Sequence, residues 1–288
     1  MLRSCLIVAL LASTAFGQQD RVRDLAAKFD GKVAVYAKNL KTGTIYTLAG
    51  DARVNTASTI KLPILIGVYT AVAEGRAKWT DTSELGKDNK VGGSGVLNEM
   101  SDGTKLPLRD LVRYMMLLSD NSATNMVLDH VPGNDVNKTL EKLGVKDTRS
   151  LRKILRGNTP EGVSDAGRDP ANKGFGIGVA TPHEMVTLLE RLYKGELVSK
   201  EASAEILDIM KKQQWREGLA RRFDVDVADK PGALDHLRSD VGIVYSKQGP
   251  IAIAITCYDI PKIDWSADNS GYLFIADAAR FLVEDLTH

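Results

Sequence analysis

Two side chains near the start of the chain combine a nucleophile with a base. Ser58 and Lys61 stand three residues apart at the beginning of a helix-forming run, so their side chains share one face. A serine hydroxyl is a poor nucleophile without an adjacent base. Burial and the positive end of a helix both favour the neutral, proton-accepting form of a lysine. The pair therefore predicts serine acyl transfer, with backbone N–H groups of the helix start stabilising an oxyanion.

Two further polar motifs follow in order, Ser119-Asp120-Asn121 and Lys230-Pro231-Gly232. Alone, the second motif is equally a helix N-cap and the third a turn. Ser-x-x-Lys also recurs at Ser150, but no Ser-Asp-Asn follows that copy, and we interpret it as chance. All three motifs in order, at a helix start, in a helix–helix turn and in a β-run, indicate a serine acyl-transfer site.

The elements that position these motifs are predicted from hydrophobic periodicity. Strands are expected at 32–40, 44–49, 226–233, 240–246 and 250–258. Helices are expected at 19–29, 58–73, 108–118, 121–130, 134–143, 182–194, 200–212 and 272–286. Residues 148–180 show little periodicity and predict a long irregular loop. The early and late strands share one antiparallel sheet only if the helical middle forms its own lobe, so we predict an α+β fold.

The N-terminus predicts export. Residues 1–17 have the pattern of a Sec-type signal peptide: Arg3, a short apolar run and a small-x-small cleavage site before Gln18. An uncleaved N-terminal anchor is the alternative. The apolar run is too short to span a bilayer, so we expect a periplasmic or secreted protein without stable membrane insertion. Cys5 leaves with the signal, and Cys257, in an apolar run, is then alone and expected to be buried.

Composition excludes several classes of function. The chain has 38 basic and 37 acidic residues, and loss of Arg3 with the signal leaves 37 of each. This balance gives no electrostatic case for nucleic acid. The four histidines lack metal-ligand spacing, so neither a metal nor a cofactor is expected. Trp79, Trp215 and Trp265 are scattered, which favours packing over a carbohydrate platform, and the Gly-rich stretch at 92–95 is read as a loop and not a phosphate cradle.

The motifs in their context resemble the class A serine β-lactamase family, over residues 24–286. The segments that carry the resemblance are 55–61, 117–125, 227–230 and 168–185. The resemblance implies a single catalytic domain at 18–288, built as a five-stranded antiparallel sheet flanked by helices plus an all-helical lobe. The sheet lobe would comprise about 18–57 and 200–288, and the helical lobe about 58–199. It also implies a monomer acting on a β-lactam or a peptidoglycan-like small molecule.

The resemblance assigns a role to each motif residue. Ser58 would be acylated, and Lys61 would be its base or a proton relay. Ser119 would pass a proton to the leaving nitrogen, Asn121 would hold the substrate amide, and Lys230 would attract the substrate carboxylate.

Further residues would complete the site. The backbone N–H groups of Ser58 and Ala233 would form the oxyanion hole, with Gly232 beside the substrate. Arg238 stands near the place of a carboxylate-binding arginine in some family members. The alternative for Arg238 is a surface arginine at a strand edge.

Two positions depart from the family pattern. Aligning the omega loop puts Asn158 at the family's Asn but Ile154 where the family has the Glu that activates the deacylating water. Glu161 is the nearest candidate for a substitute base. The lack of a carboxylate at the aligned position predicts slow deacylation. Pro231 replaces a Thr or Ser, removing a hydroxyl and an N–H, which a strand tolerates at the edge of a sheet.

Three functions remain open at this point. The first is a class A-type serine β-lactamase, of reduced efficiency or altered specificity. The second is a penicillin-binding peptidase or esterase. The third is a catalytically silent binding module, against which the retained motif residues argue.

Overall fold

The structure is a computed structural model that describes residues 20–154 and 162–287. The predicted signal peptide, Asn158 and Glu161 lie outside the described residues. The strands are β1 Lys32–Asn39, β2 Ile45–Leu48, β3 Val54–Asn55, β4 Thr82–Glu84, β5 Lys105–Pro107, β6 Arg149–Ser150, β7 Gly178–Ala180, β8 Val227–Leu234, β9 Leu237–Ser246 and β10 Gly249–Tyr258. The α-helices are α1 Arg21–Ala26, α2 Lys61–Ala73, α3 Leu108–Leu117, α4 Asn121–His130, α5 Gly133–Lys142, α6 Asp165–Arg168, α7 Pro182–Tyr193, α8 Lys200–Lys211 and α9 Ser270–Leu286. Short 3₁₀ turns occupy Ala57–Ile60, Leu97–Glu99, Pro170–Asn172 and Leu219–Arg222.

A five-stranded antiparallel sheet in the order β2-β1-β10-β9-β8 forms one part of the molecule. Successive side chains of a strand point to opposite faces, and β10 is apolar on both. Ile251, Ile253 and Ile255 pack in a core with α9, whereas Ala252 and Ala254 belong to the core on the other face. Helices α1 and α9 cover the first face, and α7 and α8 lie on the second.

The helix α2 forms the centre of the helical part. It is apolar almost all round, as a fully enclosed helix must be, and its residues 61–69 are buried. Helices α3, α4, α5 and α8 pack around it. Pro63 lies in its first turn, where the missing N–H costs little.

The α+β prediction with a five-stranded antiparallel sheet is confirmed, and so is the burial of Cys257. The helix predicted at 58–73 is present; it begins as a 3₁₀ turn and is α-helical from Lys61. Two local expectations were wrong. The stretch 148–180 contains β6, α6 and β7, which are too short to leave a periodic signal. Helix α7, assigned by sequence to the helical lobe, packs against β1, β9 and β10. In the described part of the chain, no helix is both long and apolar enough to cross a membrane.

Candidate active site

Ser58 stands in the strained 3₁₀ turn that leads into α2. The preceding Ala57 has φ of 45°, an unfavourable value for a residue with a Cβ, and its N–H donates to Asn55 Oδ1 at 2.9 Å. Thr59 Oγ1 donates to Thr56 O at 2.8 Å and closes the same turn. Ser58 is half-buried and lines a cleft of about 1080 Å³. The strain is of the kind that protein scaffolds hold at functional positions.

Lys61 is fully buried one turn further on. Its Nζ lies within hydrogen-bonding distance of three oxygens, Ser119 O at 2.6 Å, Ser119 Oγ at 3.1 Å and Asn121 Oδ1 at 3.1 Å. Burial, together with the nearby charge of Lys230, holds the pKa of Lys61 well below its usual value. The neutral amine is therefore favoured, which is the form that accepts a proton.

Lys230 reaches the same serine from β8. Its Nζ donates to Ser119 Oγ at 3.0 Å and to Pro231 O at 2.8 Å. Burial lowers the pKa of Lys230 to about 8, although the charges of Asp240 and Asp229 oppose the shift. Ser119 has φ of 53°, so a second strained residue presents its hydroxyl to both lysines.

The start of α4 joins the second motif to the glycine-rich loop. Asp120 caps α4 through Ala123 N at 2.8 Å, and its other oxygen accepts from Val96 N at 2.6 Å. Asn121 Nδ2 donates to Gly92 O at 3.0 Å. Residues 93–95 therefore form a wall of the cleft, a role that the sequence did not reveal. The loop conformation itself agrees with the prediction.

Gly232 lies directly against the nucleophile turn. A Cβ at this position would come within 2.8 Å of Thr56 O and 2.9 Å of Ser58 N. Because of this close approach, β8 runs beside Ser58, and both Ser58 and Ala233 line the cleft. Pro231 is accommodated because β8 is the edge strand of the sheet.

Ile154, predicted from the sequence to stand at the position of the family's deacylation Glu, lines the cleft. Its backbone is fixed by one side chain of α4. Ile154 N donates to Asn125 Oδ1 at 2.8 Å, and Asn125 Nδ2 donates to Ile154 O at 2.7 Å. The side chain that this segment contributes to the cleft wall is apolar.

Arg238 corrects the sequence interpretation. Its side chain is fully buried, and its guanidinium donates to Leu237 O at 2.7 Å and to the carbonyls of Leu234 and Asp264. Aromatic rings flank it as well. Its two terminal nitrogens donate to main-chain carbonyls and its Nε is buried away from the cleft, so Arg238 is neither a surface arginine nor a free partner for a substrate carboxylate.

Only one of the three tryptophans has the packing role that was expected for all of them. Trp79 packs edge-on against Tyr69 at 4.8 Å, as predicted. Trp215 and Trp265 instead line the cleft, with 47% and 61% of their surface exposed.

The second Ser-x-x-Lys is not a nucleophile pair, since Ser150 is buried in β6 and Lys153 is ion-paired with Asp129. Within residues 20–154 and 162–287, no group of three or more His, Cys, Asp or Glu side chains could bind a metal ion.

Comparison with known proteins identifies the family. The sequence profile of the β-lactamase enzyme family matches residues 18–286. The chain belongs to the β-lactamase enzyme family. A β-lactamase of Bacillus licheniformis is 28% identical over 278 residues, covering 93% of this chain and 83% of that protein. The class A resemblance drawn from the three motifs is confirmed.

Solved structures give the same fold. A β-lactamase from Sphaerobacter thermophilus superposes with a TM-score of 0.79 at 29% identity, over 92% of this chain and 95% of that one. The structure of PBP-A has a TM-score of 0.76 at 23% identity, over 92% and 93% of the two chains. The β-lactamase/transpeptidase-like fold is therefore established, and the family relationship makes the protein a hydrolase of the β-lactamase type.

Proposed function

We propose that this serine hydrolase forms an acyl-enzyme at Ser58 with β-lactams or related amides and esters, and releases the acyl group slowly. The observation that carries the proposal is the Ser119 hydroxyl, which lies 3.1 Å from Lys61 Nζ and 3.0 Å from Lys230 Nζ at the wall of the Ser58 cleft. A chain of hydroxyl and amine groups in this position moves protons during acyl transfer.

The first half of the reaction follows from the roles of these groups. Neutral Lys61 takes the Ser58 proton while Oγ attacks the substrate carbonyl carbon. The oxyanion accepts hydrogen bonds from the N–H groups of Ser58 and Ala233. The C–N bond then breaks as Ser119 gives its hydroxyl proton to the leaving nitrogen and takes up, from Lys61, the proton that Lys61 removed from Ser58. Protonated Lys230 attracts the substrate carboxylate beside Gly232.

The second half needs an activated water. Water must attack the acyl ester and release Ser58, and a general base accelerates such a step by about 10²- to 10⁴-fold. Ile154 provides no base at the aligned position. This favours slow turnover, and it keeps a penicillin-binding peptidase or esterase as the second candidate. Asn158 and Glu161 stay predictions as a substrate contact and a substitute base.

Intact-mass spectrometry with benzylpenicillin tests the proposal, with Ser58→Ala as the control. We expect a lasting adduct of one penicillin per chain in the wild type and none in Ser58→Ala. Rapid drug loss without an adduct would contradict slow deacylation and indicate a substitute base. Absence of both adduct and drug loss would reject β-lactams as substrates.

Two further proposals can be tested on the same protein. The intact mass of the exported protein tests the proposed cleavage of the chain before Gln18. The molar mass from light scattering tests the proposed monomer.

A further inference from the structure

The active-site cleft continues into a second cavity. A groove of about 510 Å³ adjoins it, and the two share Asn55, Leu234 and Trp265 as lining residues. Leu234 and Trp265 are among the exposed large apolar side chains of the described residues. An exposed tryptophan between two connected cavities presents a large, rigid contact surface at little cost in conformational entropy.

Strand β8 sets the direction from the nucleophile to the groove. The strand passes Lys230 first, then Gly232 and Ala233 beside Ser58, and ends at Leu234. If Lys230 attracts the carboxylate on the leaving-group side and Ala233 binds the oxyanion, Leu234 lies on the acyl side. The span from Lys230 to Leu234 is about 13 Å at the usual strand rise. The groove therefore lies where the acyl part of a substrate would continue.

Arg238 holds the tryptophan in place. Its guanidinium carbon lies 4.8 Å from the Trp265 ring centre and 5.0 Å from that of Tyr272. Its donated hydrogen bonds join the end of β8, at Leu234 O, to Asp264 O in the segment that carries Trp265. Asn269 Nδ2 donates to the same Asp264 carbonyl at 2.8 Å. The buried Arg238 guanidinium thus packs against the Trp265 ring in a cation–π contact.

The groove offers mainly apolar surface to a ligand. Phe175 and Tyr258 line it together with Trp265. Several of its polar groups are engaged within the protein: Arg53 stacks on Phe175 and donates to Asn172, and His236 Nδ1 is bonded to Ile260 O at 2.7 Å. The exposed carboxylate of Asp235 at the edge disfavours an acidic ligand.

We propose that this groove is a subsite for the acyl arm of an extended substrate. The arm is uncharged and ends in a planar apolar group that lies on the Trp265 ring. Arg238 is the residue that positions this ring. The subsite rests on the proposed function, because the arm belongs to the molecule that acylates Ser58. It makes the protein selective for large acyl groups over small ones.

Acylation rates of two penicillins test the subsite, one with an acetyl arm and one whose longer arm ends in a naphthyl ring. We expect the naphthyl compound to acylate Ser58 about tenfold faster at limiting concentration. Trp265→Ala should remove most of that preference, a loss of about 5- to 10-fold for the naphthyl compound and under about twofold for the acetyl one. Ile263→Ala, an exposed apolar residue of the same segment lining neither cavity, is the matched control and should preserve the preference.

Arg238→Met tests the positioning role. It should reduce the naphthyl preference as Trp265→Ala does, and should increase acrylamide quenching of Trp265 in a Trp79→Phe/Trp215→Phe background. If Arg238→Met fails to fold, Trp265→Ala alone decides. Equal effects of Trp265→Ala on both penicillins, or none, would overturn the subsite and leave acylation at Ser58 intact. If neither penicillin forms an adduct at Ser58, the proposed function fails, and the subsite with it.

Discussion

At the scale of single residues, Ser119 is where two buried lysines meet. Two ammonium groups within hydrogen-bonding distance of one oxygen repel each other, and burial penalises both charges. The structure separates their roles: the pKa of Lys61 is held well below its usual value, and that of Lys230 falls only to about 8. At neutral pH this favours a neutral base at Lys61 and a charged anion-binding group at Lys230.

Ile154 is the residue whose replacement tests slow deacylation. We expect Ile154→Glu to speed release of the penicilloyl group by about 10²- to 10⁴-fold, because a carboxylate there can activate the attacking water. The measurement is the decay of the adduct mass after excess penicillin is removed. Ile154→Gln has nearly the same shape without a base and should leave the decay slow. An unchanged decay in Ile154→Glu would reject the alignment of the omega loop or the claim of a missing base.

At the scale of elements, the junction of β8 with the 3₁₀ turn builds the nucleophile site. The two segments are far apart in sequence, and no side chain separates them at Gly232. The atoms that the added Cβ would meet, Thr56 O and Ser58 N among them, are backbone atoms. They cannot move aside as the end of a flexible side chain can. The glycine of the third motif is thus a requirement of close approach.

Gly232→Ala should therefore impair both stability and acylation. The added methyl group would push β8 off the turn, costing about 1–3 kcal/mol in the free energy of unfolding. It would also move the oxyanion-hole donors, slowing acylation by about tenfold or more. Urea denaturation and the rate of adduct formation measure the two effects. Gly86→Ala, where a Cβ meets nothing within 4 Å, is the control. Wild-type behaviour of Gly232→Ala would contradict the close approach.

At the scale of the whole molecule, a buried carboxyl pair lies in the sheet beside Lys230. Asp229 of β8 and Asp240 of β9 lie on the same sheet face, since Asp240 is paired with Pro231, two residues beyond Asp229. Asp240 Oδ2 accepts from Leu219 N at 2.9 Å. Burial raises the pKa of Asp229 well above its usual value and that of Asp240 to about 7. The folded protein therefore retains a proton that the unfolded chain releases near pH 4.

This pair should make stability depend on pH. Because the folded-state pKa is raised, the contribution is fully present below about pH 4 and is lost as pH rises towards 7. Asp240→Asn cannot ionise, so its stability relative to the wild type should improve by about 1–3 kcal/mol between pH 4 and pH 7.5. Urea denaturation across this range measures the difference. Asp224→Asn, an exposed carboxylate before β8, should show no such trend. A constant difference for Asp240→Asn would exclude the retained proton.

Much of this protein was predictable from local pattern. The five strands of the main sheet and helices such as α4 follow hydrophobic periodicity, which is set by which face of each element is buried. The motif residues were predictable because acyl transfer restricts the residue types at Ser58, Lys61, Ser119 and Lys230. The short elements within 148–180 were not, because strands of two or three residues are too brief to show a period.

The sequence by itself determined the fold class, the family and the residues of the three motifs. Only the tertiary structure decided that the Lys61 amine contacts Ser119, that Arg238 is buried, and that Trp265 stands between two cavities. The reason is physical: periodicity and motifs report which residue types and faces a segment needs, whereas the partners of a buried charge depend on segments brought together from distant parts of the chain. Arg238 has the same spacing from its motif whether it binds a substrate or supports a tryptophan, and packing alone distinguishes the two.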